Sequence, residues 1–194
     1  KPVSPYGVSK LFGYWMTVCY RDSYGLFACN GILFNHEGPR RGETFVTRKI
    51  SKAVAEISRK KRKILYLGNL NAKRDWGYAQ DYIESMWLMM QKNKPDDYVI
   101  STGVTKSVKE FVEEAFSVVN INIGWKGKNE KEFGYDKRTK NVIVKIDPRY
   151  YRPNEVNYLR GDNKKAKRML GWKPRKKFKD IVKEMVTNDL KKIN

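Results

Sequence analysis

The 194 residues carry 41 Lys and Arg against 21 Asp and Glu, a formal net charge of +20, with 40% hydrophobic and 13% aromatic residues. That content excludes intrinsic disorder, and the length suits one domain or a domain and a fraction with a sizeable core. Two cysteines and one histidine exclude a disulfide scaffold and a His-rich metal cluster, and no apolar run approaches the ~18 residues of a membrane span.

The positive charge raises nucleic acid as a partner. Its distribution argues against that reading. The basic runs at 59–63, 164–165 and 173–179 fall at helix ends and connections, without a zinc-finger or RNP pattern, so a lysine-rich solvated surface accounts for them. Cys19 and Cys29 stand in apolar settings and read as core thiols. With no leader pattern at its start, the chain reads as cytoplasmic.

In chain order, residues 5–24 show helical period through Leu11, Tyr14, Trp15, Val18 and Cys19, with Gly25 as the stop. Four-residue spacing puts Tyr6 and Lys10 on one face of that helix, and this is the single Tyr-x-x-x-Lys in the chain. A neighbouring ammonium favours the ionised form of a phenol, so the pair suits proton transfer. The spacing alone equally fits a surface Tyr beside a surface Lys. Residues 26–34 form an apolar run of strand length, expected to be covered on both faces.

Residues 36–42 read as a loop carrying His36, Arg40 and Arg41 at the carboxyl end of that strand, the edge where open α/β sheets bind ligands. Helical period returns over 44–59, a short strand follows at 64–67, and 68–77 reads as a polar loop. Over 78–91 a helix is predicted with Ile83, Met86, Trp87 and Met90 as its core stripe. A strand at 98–101 precedes Ser107-x-x-Glu110, a capping box that opens a helix to about 119. Strands are predicted at 121–125 and 142–146 with a charged loop between them. Asp162 is expected to cap a helix ending at Leu170 and Gly171, and a last amphipathic helix covers about 178–190.

No glycine-rich phosphate loop of the G-x-G-x-x-G or P-loop type occurs. A sheet of this kind that begins on a helix is expected to continue upstream. The blocks SPYGVSK (4–10), NGILFNHEGPRRGETFVTRKI (30–50), LGNLNAKRDWGYAQDY (67–82) and YYRPNEVNYLRGDNKKAKRMLGWKP (150–174) together resemble the extended short-chain dehydrogenase/reductase family, within it the GDP-mannose 4,6-dehydratases. The resemblance runs from Ser4 to about Asp189.

What the resemblance implies is an α/β fold: the carboxyl-terminal part of a Rossmann-like parallel sheet plus a smaller mixed α/β substrate-binding domain. Residues 1–43 and 78–102 would complete the NADP-binding part, and 44–77 with 103–194 the GDP-sugar part. It implies that Tyr6 handles the C4 hydroxyl proton of GDP-mannose while hydride passes to NADP, with Lys10 beside it on the cofactor ribose. It places His36 and Arg41 on NADP, and Asn35, Lys49, Arg74, Arg152 and Glu155 on GDP-mannose. No metal is implied; a homodimer or homotetramer is. The family's cofactor loop and C5 base lie upstream of the tyrosine, so the chain corresponds to a carboxyl-terminal portion, inactive alone. Two rivals stay open: another extended short-chain reductase, such as a nucleotide-sugar epimerase or 4-keto reductase, and a non-catalytic basic nucleotide- or RNA-binding remnant.

Overall fold

The computed structural model describes residues 2–151 and 156–193. The first element, α1 (Pro5–Tyr24), begins where the Ser4 hydroxyl accepts from the Gly7 N–H at 3.0 Å; Pro5 fills the first turn, where an N–H has no partner, and Gly25 ends the helix at φ 64°. The helix buries no residue outright. Tyr14, Thr17, Val18 and Arg21, at three- and four-residue spacing, are its half-covered stripe. Cys19 is exposed and Cys29 half-buried, so the expectation of two core thiols fails for Cys19.

The apolar run at 26–34 is not one doubly covered strand. It yields β1 (Asn30–Leu33), with Gly31 and Ile32 exposed, then β2 (Asn35–Glu37). Between them the Phe34 N–H donates to the Ile100 carbonyl at 2.9 Å, and the chain changes partners there. β1 runs parallel to β6 (Asp97–Ile100), while β2 runs parallel to β5 (Trp76–Tyr78), with His36 opposite Gly77. His36 and Glu37 are therefore strand residues, and the loop expected at 36–42 begins only after them.

The expected polar loop at 68–77 is also more ordered than its composition predicts. It holds β4 (Lys73–Arg74) and the start of β5, and buries Leu70, Ala72, Asp75 and Trp76. β4 pairs antiparallel with β7 (Lys106–Ser107). The remaining strands form a mixed sheet in the order β3 (Leu65–Leu67), β10 (Val142–Ile146), β9 (Phe133–Asp136), β8 (Ile123–Lys126). β3 and β10 are parallel and the other pairs antiparallel. β9 replaces part of the charged loop predicted between 125 and 142.

Two apolar cores follow from this layout. The larger is built from α2 (Val46–Ser58), α4 (Val108–Ser117) and α6 (Phe178–Lys192), with the inner faces of β3 and β10; Ile50, Val54, Phe111, Phe116, Val144 and Met185 are wholly buried there. Each side chain of that size contributes about 1.5–3 kcal/mol. The second gathers Tyr82 and Met89 of α3 (Ala79–Met90), Tyr98 and Ile100 of β6, and Ala166 and Leu170 of α5 (Lys164–Leu170), closed by Trp172. Here the predicted stripe on α3 is out of phase. Asp81, Tyr82, Ser85 and Met89 face inward, while Ile83, Met86, Trp87 and Met90 are exposed, Trp87 by 61%.

Helix ends set by local chemistry match their sequence signals. Ser107 and Glu110 form both halves of the capping box, and Gly171 stops α5 at φ 68°. The start of α5 differs by one residue: Asn163 is the cap position, and Asp162 instead accepts the Lys164 N–H at 3.0 Å.

Candidate active site

Tyr6 and Lys10 lie one helical turn apart near the start of α1, with the Lys10 ammonium 5.4 Å from the centre of the Tyr6 ring. Both are exposed. The expected face-sharing is present, and the phenol and ammonium are open to a ligand from solvent.

Asn35 and His36 come from β2, whose two-residue alternation turns successive side chains to opposite sides. The His36 Nδ1–H donates to the Phe34 carbonyl at 2.9 Å, which leaves Nε2 as the ring's acceptor. Its ring packs on Tyr82 with centroids 5.2 Å apart. Gly77 makes room for that arrangement, because a Cβ there would stand 2.3 Å from the Tyr82 ring. Beyond β2 the chain turns at Gly38–Pro39 and forms, with Tyr78 and Gln80, a cleft of about 210 Å³ lined by His36, Glu37, Arg40 and Arg41.

Glu37 organises this cleft from below. It is 2% exposed, accepts the Thr47 hydroxyl at 2.6 Å and pairs with Arg41 Nε at 3.2 Å. Burial lifts its carboxyl to about 7, against the opposing pull of Thr47 and Arg41. The Arg41 guanidinium also stacks 3.6 Å over the Phe45 ring, so two contacts aim it. Such a cleft presents planar cationic groups of a kind suited to phosphate.

Lys49 lies in the first turn of α2, its ammonium 3.4 Å above the Tyr150 ring. Tyr150 is held there because Gly68 has no side chain: a Cβ would meet the Tyr150 carbonyl oxygen at 2.5 Å. Arg74 is half-buried on β4, its Nη1 donating to the Lys73 carbonyl at 2.9 Å. Arg152 and Glu155 lie outside the described residues.

The structure thus brings His36 and Arg41 into one cleft, leaves Asn35 on the opposite side of the same strand, and pairs Tyr6 with Lys10. Among the described residues, no hydrogen bond or ion pair joins those two groups. Two buried carboxylates, Glu37 and Asp75, escaped the sequence reading. Glu37 sits between His36 and Gly38 in a motif read as loop, and Asp75 makes its contacts to residues far along the chain. Only their place beside candidate site residues hinted at a role. Among the described residues no group of His, Cys, Asp and Glu could hold a metal ion.

A family model described as GDP-mannose 4,6 dehydratase matches residues 1–185. The chain belongs to the GDP-mannose 4,6-dehydratase family. A GDP-mannose 4,6 dehydratase from Dictyostelium discoideum is 57% identical over 192 residues, covering 99% of this chain and 54% of the relative. One from Homo sapiens is 56% identical, covering 97% of this chain and 51% of the relative. The chain therefore spans about half the length of these GDP-mannose 4,6-dehydratases. Among solved structures, RMD from Pseudomonas aeruginosa complexed with NADPH superimposes with a TM-score of 0.80 at 18% identity, covering 98% of this chain and 57% of that one. UDP-glucose 4-epimerase from Thermotoga maritima superimposes at 0.78 and 22% identity, covering 100% and 56%. Both show that the family member has the α/β fold of these enzymes.

Proposed function

We propose that this chain supplies the tyrosine, the lysine and the nucleotide-sugar contacts of a GDP-mannose 4,6-dehydratase. The observation that carries the reading is the exposed Tyr6–Lys10 pair on one face of α1, in a chain 57% identical to such an enzyme. The overall reaction converts GDP-mannose to GDP-4-keto-6-deoxymannose and water, with no net redox change.

NADP, when bound, supplies the acceptor for hydride from C4 and its later donor to C6. The Tyr6 oxygen takes the C4 hydroxyl proton as that bond oxidises, and Lys10 supplies the adjacent positive charge and a donor for the cofactor ribose. The resulting 4-keto group acidifies C5–H, so that water leaves across C5 and C6; the base for that proton is not among the residues assigned here. His36 presents a fixed tautomer, and Arg41 a braced cation, to the cofactor. Asn35, Lys49, Arg74, Arg152 and Glu155 hold the GDP-sugar, the cations on its diphosphate.

The two cores support a division into a cofactor part, 1–43 and 78–102, and a nucleotide-sugar part, 44–77 and 103–194, with α5 and Trp172 packed back on the former. The exposed apolar faces of α1 and α3 support self-association as a homodimer or homotetramer once the rest of the sheet is present. Two free cysteines suit a cytoplasmic setting. Among the described residues, no helix is long and apolar enough to cross a membrane.

The test mixes the purified chain with the amino-terminal half of a family member and follows GDP-mannose by mass spectrometry. The expected product has lost water, and neither half alone forms it. Tyr6→Phe should lower kcat by about 10²–10⁴-fold. A product that keeps its C6 hydroxyl would make the chain an epimerase half. Turnover unaffected by Tyr6→Phe would remove the assignment.

A further inference from the structure

Arg74 stands on a strand of two residues, Lys73–Arg74, joined to β7 by two residue pairs. So short a strand does little to fix a side chain. The next residue is Asp75, 0% exposed. Its Oδ1 accepts the Thr102 N–H at 2.8 Å and the Thr102 hydroxyl at 2.6 Å. Its Oδ2 accepts the Gly103 N–H at 2.8 Å and the Gly161 N–H at 3.3 Å. Four dipoles from two separate stretches, the residues just after β6 and those before α5, thus converge on one buried carboxylate at the β4–β5 junction. Hydrogen bonds to a charged acceptor are about twice as strong as neutral ones.

The backbone around this carboxylate is shaped to reach it. Gly103 adopts φ 78°, which a side chain would resist, and a Cβ on Gly161 would stand 2.3 Å from the Ser101 Cβ. Arg160 Nε closes the far side by donating to the Gly103 carbonyl at 2.8 Å. Lys73, on the other flank of Arg74, donates its N–H to the Asn157 carbonyl at 2.8 Å, and its carbonyl accepts the Leu159 N–H at 3.1 Å. Arg74 is therefore bracketed: the residues on both sides are bound to the same returning stretch, and Asp75 alone also reaches β6.

We infer that Asp75 is a positioning residue that locks Arg74 to the end of β6, fixing where a nucleotide diphosphate sits relative to the cofactor side of the fold. It touches no ligand itself. The inference rests on the GDP-sugar reading for Arg74, but the clamp can be tested without it.

The experiment uses the full 194-residue chain, with GDP as the probe and calorimetry as the readout. Asp75→Asn turns one acceptor into a donor facing N–H groups and should weaken GDP about tenfold. Thr102→Val, which removes the hydroxyl contact to Asp75 together with that hydroxyl's bonds to the Val104 backbone and leaves the backbone N–H contacts to Asp75, should weaken it about two- to threefold and retain the fold. On an Arg74→Ala background neither change should weaken GDP further, because their effect passes through Arg74. Additive losses would mean a merely structural carboxylate and would overturn the inference. In parallel, amide exchange at Gly103 and Gly161 should speed more than tenfold in Asp75→Asn, with α4 unchanged; unaltered exchange there also overturns it. If the unaltered chain ignores GDP, the substrate reading fails on its own, and the exchange result still decides the clamp.

Discussion

Replacing Asp97 by alanine should release α1 while leaving the larger core folded. Asp97 accepts from both Arg21 terminal nitrogens at 2.8 and 3.2 Å, from the Tyr14 hydroxyl at 3.0 Å, and from the Asn30 side chain and backbone at 3.0 and 3.3 Å. The Arg21 guanidinium beside it, helped by Asn30 and Tyr14, holds its carboxyl at about 2 against an ordinary 3.8. At about 1.36 kcal/mol per tenfold, that depression amounts to about 2.4 kcal/mol at neutral pH. Because the folded value lies below the unfolded one, the contribution is whole above about pH 4 and drains away as pH falls towards about 2. Little else ties this helix, which buries no residue outright. Asp97→Ala should therefore speed amide exchange in α1 by about 60-fold at pH 7, the equivalent of about 2.4 kcal/mol, with α4 and α6 unchanged. An acceleration of about 20-fold should appear in the unaltered chain as the pH is lowered from 4 to 2, once intrinsic exchange is corrected for. Exchange in α1 within threefold of the unaltered protein would refute the reasoning.

Glu37 titrates in the opposite sense. Its folded value of about 7 lies above the ordinary 4.5, so folding is favoured while it is protonated and loses up to about 3 kcal/mol as pH rises from 5 to 8. Glu37→Gln should remove that slope, read as a difference in urea midpoints that grows across the range; a constant difference would contradict the assignment. The Arg48–Asp189 pair, 2.7 Å apart and buried on both sides, predicts that Arg48→Met alone costs about 3–5 kcal/mol by stranding Asp189. Changing Asp189 to Leu as well should recover most of it, and thermal unfolding of the single and double variants compares them.

What the sequence disclosed was local. Gly25, Ser107 with Glu110, and Gly171 each act on backbone groups within a few residues, and each marks a helix end where expected. Period-based readings held where the element packs on a complete core, as for α2 and α6. They failed on α3, where Trp87 and Met90 have nothing over them and Tyr82 and Met89 take the inner face. Spacing reports which residues share a face but not which face is covered. Glu37 and Asp75 lay further out of reach. Asp75 is satisfied by groups 27 to 86 residues away, and no periodicity encodes such a meeting. Tyr6 and Lys10 were legible because both partners lie within one helical turn.

The attachment of α1 gives the Tyr6–Lys10 pair a mechanical character. The helix is pinned at Tyr14 and Arg21, while Tyr6 projects beyond the nearer pin by eight residues, about 12 Å of overhang at about 1.5 Å per residue. On a beam of that length a tilt of about 5° at the root displaces the tip by about 1 Å, a misplacement that can cost an enzyme about 10²-fold in rate. The phenol's aim is therefore set less by the residues around it than by whatever surface comes to rest along Phe12 and Trp15, which would act as the rail that keeps the beam true.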